Sequence, residues 1–550
     1  MRERATAAIA VLVVAILLGV AGLVHQPPPA PEPSAPPAAS PSPESPEPTP
    51  SPTPPAIEIW STSMDRAFTT TAGRWVAGDT TQGDESESEG NAGEVDVADQ
   101  TIQVDASQLH QSFNAVGAAL THSSAAVLAA MPADERTALL EELFAPDGPV
   151  RLGVLRIPLG GSDFVAEPAY TYDDLPAGET DWDLERFSTA ADGVTLRPML
   201  RQILAIAPDL QIVASPWSAP AWLKDSGRLD GGRLLDDDRA ADTYAQYLAR
   251  AVEEYAAEEI PIAAITVQNE PQARNPDGYP GMDMPVEDQA AVISALGPAL
   301  RDAEIRDGGG GNAGVRTQIL AYDHNWALNP ADAESTPEGA DPEYEYPSDV
   351  LRSAAAPWIA GIAYHCYSGD AGRMSQMHTA FPSTDLWVTE CSGSHAPEDS
   401  PEQIFANTLS WQAQNLVIDS LNNWAGTVMT WNLALDDSGG PHIGGCDTCT
   451  GVVTIGPDGS VTRNAEYYAL AAVGRFATHD AVVLSDDSAA TLPHVALVNP
   501  DGSAVVVLFN GSDGQVDVAL AAPDTGEFAR ATIPARALAT VTISELPPTG

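Results

Sequence analysis

The chain has 550 residues, enough for one large catalytic domain and a smaller companion. It carries 25 Lys and Arg against 77 Asp and Glu, a formal net charge of −52, and Lys224 is its only lysine. A surface this acidic repels phosphate backbones and anionic headgroups; it excludes nucleic acid as a partner and says nothing about fold.

Residues 1–25 open with Arg2 and Arg4 and continue as about 20 nearly unbroken apolar residues, the length that spans a bilayer. The segment reads either as a signal peptide or as an uncleaved membrane anchor. Both readings place the rest of the chain outside the cell, secreted or anchored at the surface. Residues 26–56 are rich in Pro and Ser. Proline at this density favours extended polyproline II and forbids a packed core, so the stretch is a disordered linker holding a domain away from a membrane or wall. Residues 57–109 contain two short strand-like runs, IEIWSTS (57–63) and TIQVDAS (101–107), on either side of the acidic loop GDESESEGNAGE.

From 110 to 463 one theme repeats: a β-branched run, a motif-rich loop, then an Ala/Leu/Glu-rich helical stretch. Eight runs are counted: NAVGAAL (114–120), VLRIPLG (154–160), QIVASPW (211–217), IAAITVQNEP (262–271), TQILAYDHN (317–325), IAGIAYHCY (359–367), DLWVTEC (385–391) and GTVMTWNLAL (426–435). Residues 240–258 and 286–301 are two of the helical stretches between them. The alternation predicts an α/β fold with a parallel sheet, and eight units predict a (β/α)8 TIM barrel. A doubly wound sheet would alternate too, but no glycine-rich phosphate loop opens the first unit. GGGG (308–311) and the acidic stretch 331–349 read as surface loop insertions.

Residues 464–545 change character. Short alternating strands broken by NPDGS and NGSDG predict an antiparallel β-sandwich, to which the two N-terminal runs can add strands, so that the side domain is built from both ends of the catalytic region. The tail 546–550, LPPTG, matches the wall-sorting motif without the apolar tail such a signal needs, and reads as coincidence. Cys366, Cys391, Cys446 and Cys449 make an even set, which allows disulfides outside the cell. GGCDTC could close a small loop through Cys446 and Cys449. A single Cys-x-x-Cys is only half a tetrahedral zinc set, so no metal is expected.

In a barrel the reacting groups sit at the C-terminal ends of the strands. Glu270 ends the fourth run and Glu390 the seventh. Two carboxylates across one mouth are the minimal equipment for glycoside hydrolysis, one donating a proton to the leaving oxygen while the other attacks the sugar or activates water.

Seven stretches carry a family resemblance: QSFNAVGAALTHSSA (111–125), LRIPLGGSDF (155–164), ASPWSAPAWLK (214–224), TVQNEP (266–271), GIAYHCY (361–367), WVTECSG (387–393) and TWNLALDDSGGPH (430–442). In this order the chain resembles glycoside hydrolase family 30, the family of glucosylceramidases and β-1,6-glucanases. The resemblance implies a (β/α)8 barrel with a β-sandwich built from both chain ends, retention of configuration, and no cofactor. It also implies that Glu270 is the acid/base and Glu390 the nucleophile. Asn269 would bind the sugar 2-hydroxyl, Asp163 the outer hydroxyls, and Arg156 and Tyr367 would hydrogen-bond the nucleophile. Trp217 and Trp431 would give apolar faces to the ring. Glu390 is expected to be kept ionised by its donors, and Glu270 to be raised while Glu390 is charged. His365 is expected to orient its neighbours, Lys224 to be a satisfied structural cation, and Trp222 and Trp424 to be core.

Val116, Ala118 and His122 depart from the family pattern, so local packing or the acceptor side could differ there. Runs six and seven should be neighbours, so Cys366 and Cys391 could pair, or stay buried thiols. The GGCDTC loop is absent from the animal enzymes and resembles the bacterial and β-1,6-glucanase-like members, which argues against a narrow assignment to ceramide glycosides. The expectation is an exported retaining β-glycosidase of glucosylceramidase type, with a β-1,6-glucanase as the alternative; its substrate would be a β-glucoside, glycolipid or β-glucan. A non-catalytic carbohydrate-binding surface protein is the alternative from another class.

Overall fold

The computed structural model describes residues 56–546 apart from 65–67, 76–97, 167, 275, 277, 307–314, 486–489 and 524–525. The apolar N-terminal segment, the proline-rich linker, the acidic loop and the GGGG stretch lie outside the described residues, as does the end of the LPPTG tail. Among the described residues no helix is long and apolar enough to cross a membrane.

All eight runs form strands of one closed parallel barrel. They are β1 (Ala115–Ala119), β2 (Val154–Leu159), β3 (Gln211–Pro216), β4 (Ala264–Thr266), β5 (Gln318–Asn325), β6 (Ile359–His365), β7 (Asp385–Glu390) and β8 (Ala425–Thr430). β8 closes on β1 in the register Thr427↔Ala115 to Thr430↔Ala118. β4 is the shortest, so Glu270 lies beyond the strand in a turn rather than at its last residue. The helix Leu196–Ile206 buries one stripe: Leu196, Met199, Leu200 and Ile203 repeat at the three- and four-residue spacing that faces one side. Burial of each such side chain stabilises by about 1.5–3 kcal/mol.

The barrel interior is layered. One residue from every strand (Ala115, Val154, Val213, Ala264, Leu320, Ala363, Trp387 and Met429) forms an apolar cluster that fills the barrel at one level. Side chains alternate along a strand, so the residues two positions on share the same face, one level nearer the C-terminal mouth. Apart from β5 these are Gly117, Arg156, Ser215, Thr266, His365, Thr389 and Trp431, and the layer turns from apolar to largely polar. On β5 simple alternation would aim Tyr322 inward. Instead Tyr322 and Asp323 both take positive φ, 74° and 65°, and the register with β6 shifts between Tyr322 and His324. That irregularity delivers the Asp323 carboxylate to the interior.

The side domain has a seven-stranded and a four-stranded sheet around their own apolar core. Ile57–Thr62 pairs antiparallel with Ala537–Ile543, and Gln100–Gln103 pairs with Val516–Ala522, so both chain ends build it. The second pairing is parallel, unlike the all-antiparallel expectation; a strand arriving from far along the chain is not bound by hairpin geometry. The helix Ala465–Gly474, placed with the sandwich by the sequence, is fully buried between the two. A Cβ on Gly474 would lie 2.5 Å from the barrel-side Val150 carbonyl, while Thr540 of the sandwich donates to the Ala472 carbonyl at 2.7 Å. The acidic stretch 331–349 is not simple surface loop. It contributes to the helices Pro330–Glu334 and Tyr346–Arg352, and Tyr346 is fully buried with its hydroxyl on the Met284 carbonyl at 2.6 Å.

Candidate active site

The mouth is organised by one buried arginine. Arg156, on β2, has no exposed surface. Its Nη1 donates to Glu390 Oε2 at 2.5 Å, and its Nη2 donates to Asn269 Oδ1 at 2.6 Å and Asp323 Oδ2 at 2.9 Å. A guanidinium buried without such partners would cost several kcal/mol; with two carboxylates beside it the charge is compensated. Asp323 in turn accepts from Ser215 and Thr266 on Oδ2 and from Thr389 on Oδ1, each at 2.7 Å. Burial works to raise its pKa, but Arg156 and His365 hold it well below the usual carboxylate range.

Glu390 ends β7, where the register with β6 shifts so that it aligns with His365. Its other oxygen, Oε1, accepts from the Tyr367 hydroxyl at 2.9 Å. Glu270 takes a positive φ of 47° and its backbone N–H donates to the Asp323 carbonyl at 2.9 Å, so the bulge of β5 also anchors the turn after β4. Positive φ at Glu270, Tyr322 and Asp323 stores about 1–3 kcal/mol of strain each, concentrated at this mouth. Glu270 Oε1 lies 3.1 Å from His365 Nδ1, and His365 Nε2 lies 3.2 Å from Asp323 Oδ1. One atom each of Glu270, His365 and Glu390 lie within 4.8 Å of one another.

Burial pushes the Glu390 pKa up, and the Glu270 charge adds to this against the pull of His365, Arg156 and Tyr367. Burial also works upward on Glu270, but the His365 hydrogen bond and the charges of His365 and Arg156 outweigh it and hold Glu270 low. This reverses the sequence expectation that Glu270 would be the raised group in the free site. The cause is a partner, His365, expected only to orient its neighbours.

The remaining expected residues are gathered at the same mouth. Asn269, beside Glu270, is buried, with its N–H on the Pro216 carbonyl at 2.8 Å. Asp163 is buried, its Oδ1 has no protein hydrogen-bond partner, and burial with the Glu390 charge raises its pKa well above normal. Trp217 and Trp431 are both only 2% exposed and stack on each other, centroids 5.3 Å apart, with the Arg156 guanidinium over both rings. They form a wall with Phe164 and Cys449 rather than open platforms.

Both cysteine pairs are closed, Cys366–Cys391 between neighbouring β6 and β7 and Cys446–Cys449 within the GGCDTC loop. The second loop packs on Asp163: the Ile443 N–H donates to the Asp163 carbonyl at 2.8 Å, and a Cβ on Gly445 would lie 2.4 Å from Asp163 Oδ2. Lys224 is the satisfied structural cation expected, donating to Ser218 Oγ, the Leu229 carbonyl and the Gly281 carbonyl at 2.7–2.9 Å, with burial lowering its pKa to about 7. Trp222 and Trp424 are half-buried against the core. His122 does not face the sugar site. It lies 3.0 Å from Asp192, a buried carboxylate that also accepts from Tyr170, Tyr172 and Tyr255.

Sequence reasoning missed Asp323, Ser215, Thr266 and Thr389. The last three were findable by counting two positions from the apolar layer; Asp323 was not, because its inward aim depends on backbone irregularity. On the outer side of Glu270 it also missed His324, 3.9 Å from Glu270, and Asp332, 3.8 Å from His324.

A closed parallel barrel presenting two partnered carboxylates across one mouth is the site of a glycoside hydrolase. Residues 113–477 match the glycosyl hydrolase family 30 TIM-barrel domain and residues 481–541 the glycosyl hydrolase family 30 beta sandwich domain. The chain belongs to glycosyl hydrolase family 30. It is 34% identical to an endo-1,6-β-D-glucanase of Neurospora crassa, over 77% of this chain and 83% of that protein. It is 29% identical to the lysosomal acid glucosylceramidase of Mus musculus, over 76% and 78%. The solved endo-β1,6-glucanase BT3312 superposes with a TM-score of 0.73 at 25% identity, covering 89% of this chain and all of that one.

Proposed function

We propose that this chain is a retaining β-1,6-glucanase. The observation that carries retention is the spacing: oxygens of Glu270 and Glu390 lie within 4.8 Å, room for a sugar carbon but not for an interposed water, matching the roughly 5–5.5 Å of double displacement. Glu390 attacks the anomeric carbon, aimed by Arg156 and Tyr367. Glu270 protonates the leaving oxygen and then deprotonates the incoming water. Asn269 meets the 2-hydroxyl and Asp163, with its unpartnered oxygen, the outer hydroxyls.

The alternative of the sequence reading is thus preferred over its glucosylceramidase-type main reading. The β-1,6-glucanase relatives are 32–34% identical and the glucosylceramidases 25–29%. We also propose that the protein is exported, supported by the charged-then-apolar N-terminus and two closed disulfides.

The test is product analysis on linear β-1,6-glucan, glucosylceramide and an aryl β-glucoside, with Glu390→Gln as control. Oligosaccharides of retained configuration from the glucan, and none from E390Q, support the proposal. Turnover of the ceramide lipid alone returns the assignment to the glucosylceramidase type. Activity surviving in E390Q sinks the assigned roles.

A further inference from the structure

His365 is fully buried, and each ring nitrogen faces a carboxylate oxygen, Nδ1 on Glu270 and Nε2 on Asp323. A neutral imidazole has one N–H and one lone pair. That lone pair would meet the lone pairs of a carboxylate unless the carboxyl itself carries a proton. Asp323 is not that carboxyl: Arg156, Ser215, Thr266 and Thr389 all donate to it, and its charge is fixed. One proton is therefore held between His365 Nδ1 and Glu270 Oε1.

We infer that His365 stores the proton of Glu270 between turnovers and exchanges it with that carboxylate, an inference that rests on the roles proposed above for Glu270 and Glu390. The groups around His365 are Glu270 after β4, Asp323 and His324 on β5, Tyr367 after β6, Glu390 on β7 and, through Asp323, Arg156 on β2. Burial works against an imidazolium here, but the charges of Glu390, Asp323 and Glu270 raise the ring to about 9. In the free site the proton thus rests on Nδ1 and Glu270 is ionised.

The Glu270 side chain is 21% exposed, and a bound glucan covers it. Loss of water disfavours the separated charges relative to the neutral pair, and the proton passes from Nδ1 to Oε1. In the first displacement the bond from C1 to the leaving oxygen breaks. Its electron pair stays on that oxygen, which takes the proton from Oε1, while the Glu390 carboxylate bonds to C1. In the second displacement a water oxygen attacks C1, and the bond to Glu390 breaks with its pair returning to the carboxylate. The water's proton goes to Glu270 and then to Nδ1. Asp323 holds the Nε2 proton throughout, so Nδ1 is always the exchanging nitrogen.

The test compares kcat/KM against pH for the wild type and His365→Gln, with Glu270→Gln and Glu390→Gln alongside. Two aryl β-glucosides are used, one with a dinitrophenolate leaving group that needs no proton and one with a phenolate that does. In H365Q the basic limb on the phenyl substrate should move to lower pH by roughly one unit or more, while the dinitrophenyl substrate loses far less. An unmoved basic limb with equal losses on both substrates marks a structural role and overturns the inference. If E270Q and E390Q keep wild-type activity, it is instead the assignment of the glutamates that falls. Should H365Q not fold, neutron diffraction of the wild type near about pH 7 puts the same question: deuterium on both ring nitrogens is expected, and deuterium on Nε2 alone overturns the stored proton.

Discussion

Tyr367→Phe isolates one contact of Glu390, the proposed nucleophile. The hydroxyl donates to Glu390 Oε1 at 2.9 Å, and nothing else in the described structure donates to that oxygen. A hydrogen bond to a charged group contributes about 1.5–3 kcal/mol. Tyr367 is 38% exposed, so water replaces much of what is lost and the lower end applies. About 1.5 kcal/mol corresponds to roughly tenfold in rate or about one pH unit. The sign follows from the ionised form: the hydroxyl favours the carboxylate and pulls the Glu390 pKa down, so its removal raises that pKa. Since the carboxylate is the attacking form in the proposed mechanism, the acid limb of kcat/KM should move to higher pH by about one unit, with the plateau lower by up to about tenfold. A pH–rate profile of Y367F on a soluble β-1,6-linked oligosaccharide reads both. An acid limb that stays in place would refute the claim that this hydroxyl supports the charged nucleophile.

Gly445→Ala brings a Cβ to 2.4 Å from Asp163 Oδ2 at a φ of 72°, so the loop must shift off Asp163; kcat/KM on the glucan should fall by roughly tenfold, with the far-ultraviolet spectrum unchanged. Arg156→Met leaves Asp323 and Glu390 buried without their cation, and should cost roughly 3–5 kcal/mol, read by chemical denaturation. Glu466 is fully buried, and burial raises its pKa from 4.5 to about 7. The folded state therefore holds this proton more tightly, and stability declines as pH rises from about 4.5 to about 7. Above that window Glu466→Gln should be more stable by about 3 kcal/mol, and at about pH 4 the advantage should vanish.

The barrel was legible because strands buried on both faces leave continuous apolar runs, and each run found here is a strand. Glu270, Glu390, Asn269, Arg156 and Tyr367 were legible through the family-like motifs at the run ends. Cys366 and Cys391 were pairable on paper because consecutive strands of a barrel are neighbours. What the sequence hid depends on backbone irregularity or on long-range contact. Asp323 turns inward through two consecutive positive φ values at Tyr322 and Asp323, which no alternation pattern encodes. Gly445 meets Asp163 across a separation no local pattern spans. The helices flanking 331–349 were masked by acidic composition, although Tyr346 alone, fully buried, anchors the second.

These contacts form one continuous chain: Glu270, His365, Asp323, Arg156 and Glu390, each in hydrogen-bond contact with the next. With His365 protonated the signs alternate, so every buried charge has an opposite neighbour and the five together carry a single net negative charge. Such a chain titrates as a unit, and the apparent pKa values of the pH–rate profile belong to the chain rather than to either glutamate. Esterification of Glu390 removes one negative end. By then the stored proton has passed from His365 through Glu270 to the leaving oxygen, so His365 is neutral and Glu270 is a carboxylate ready to take the proton of water. When water later releases Glu390 as a carboxylate, the restored charge favours the imidazolium again. The same buried charges that pair off in the resting site thus reset the acid after each turnover, which gives the Arg156–Asp323 ion pair a role in the proton cycle without contact with the sugar.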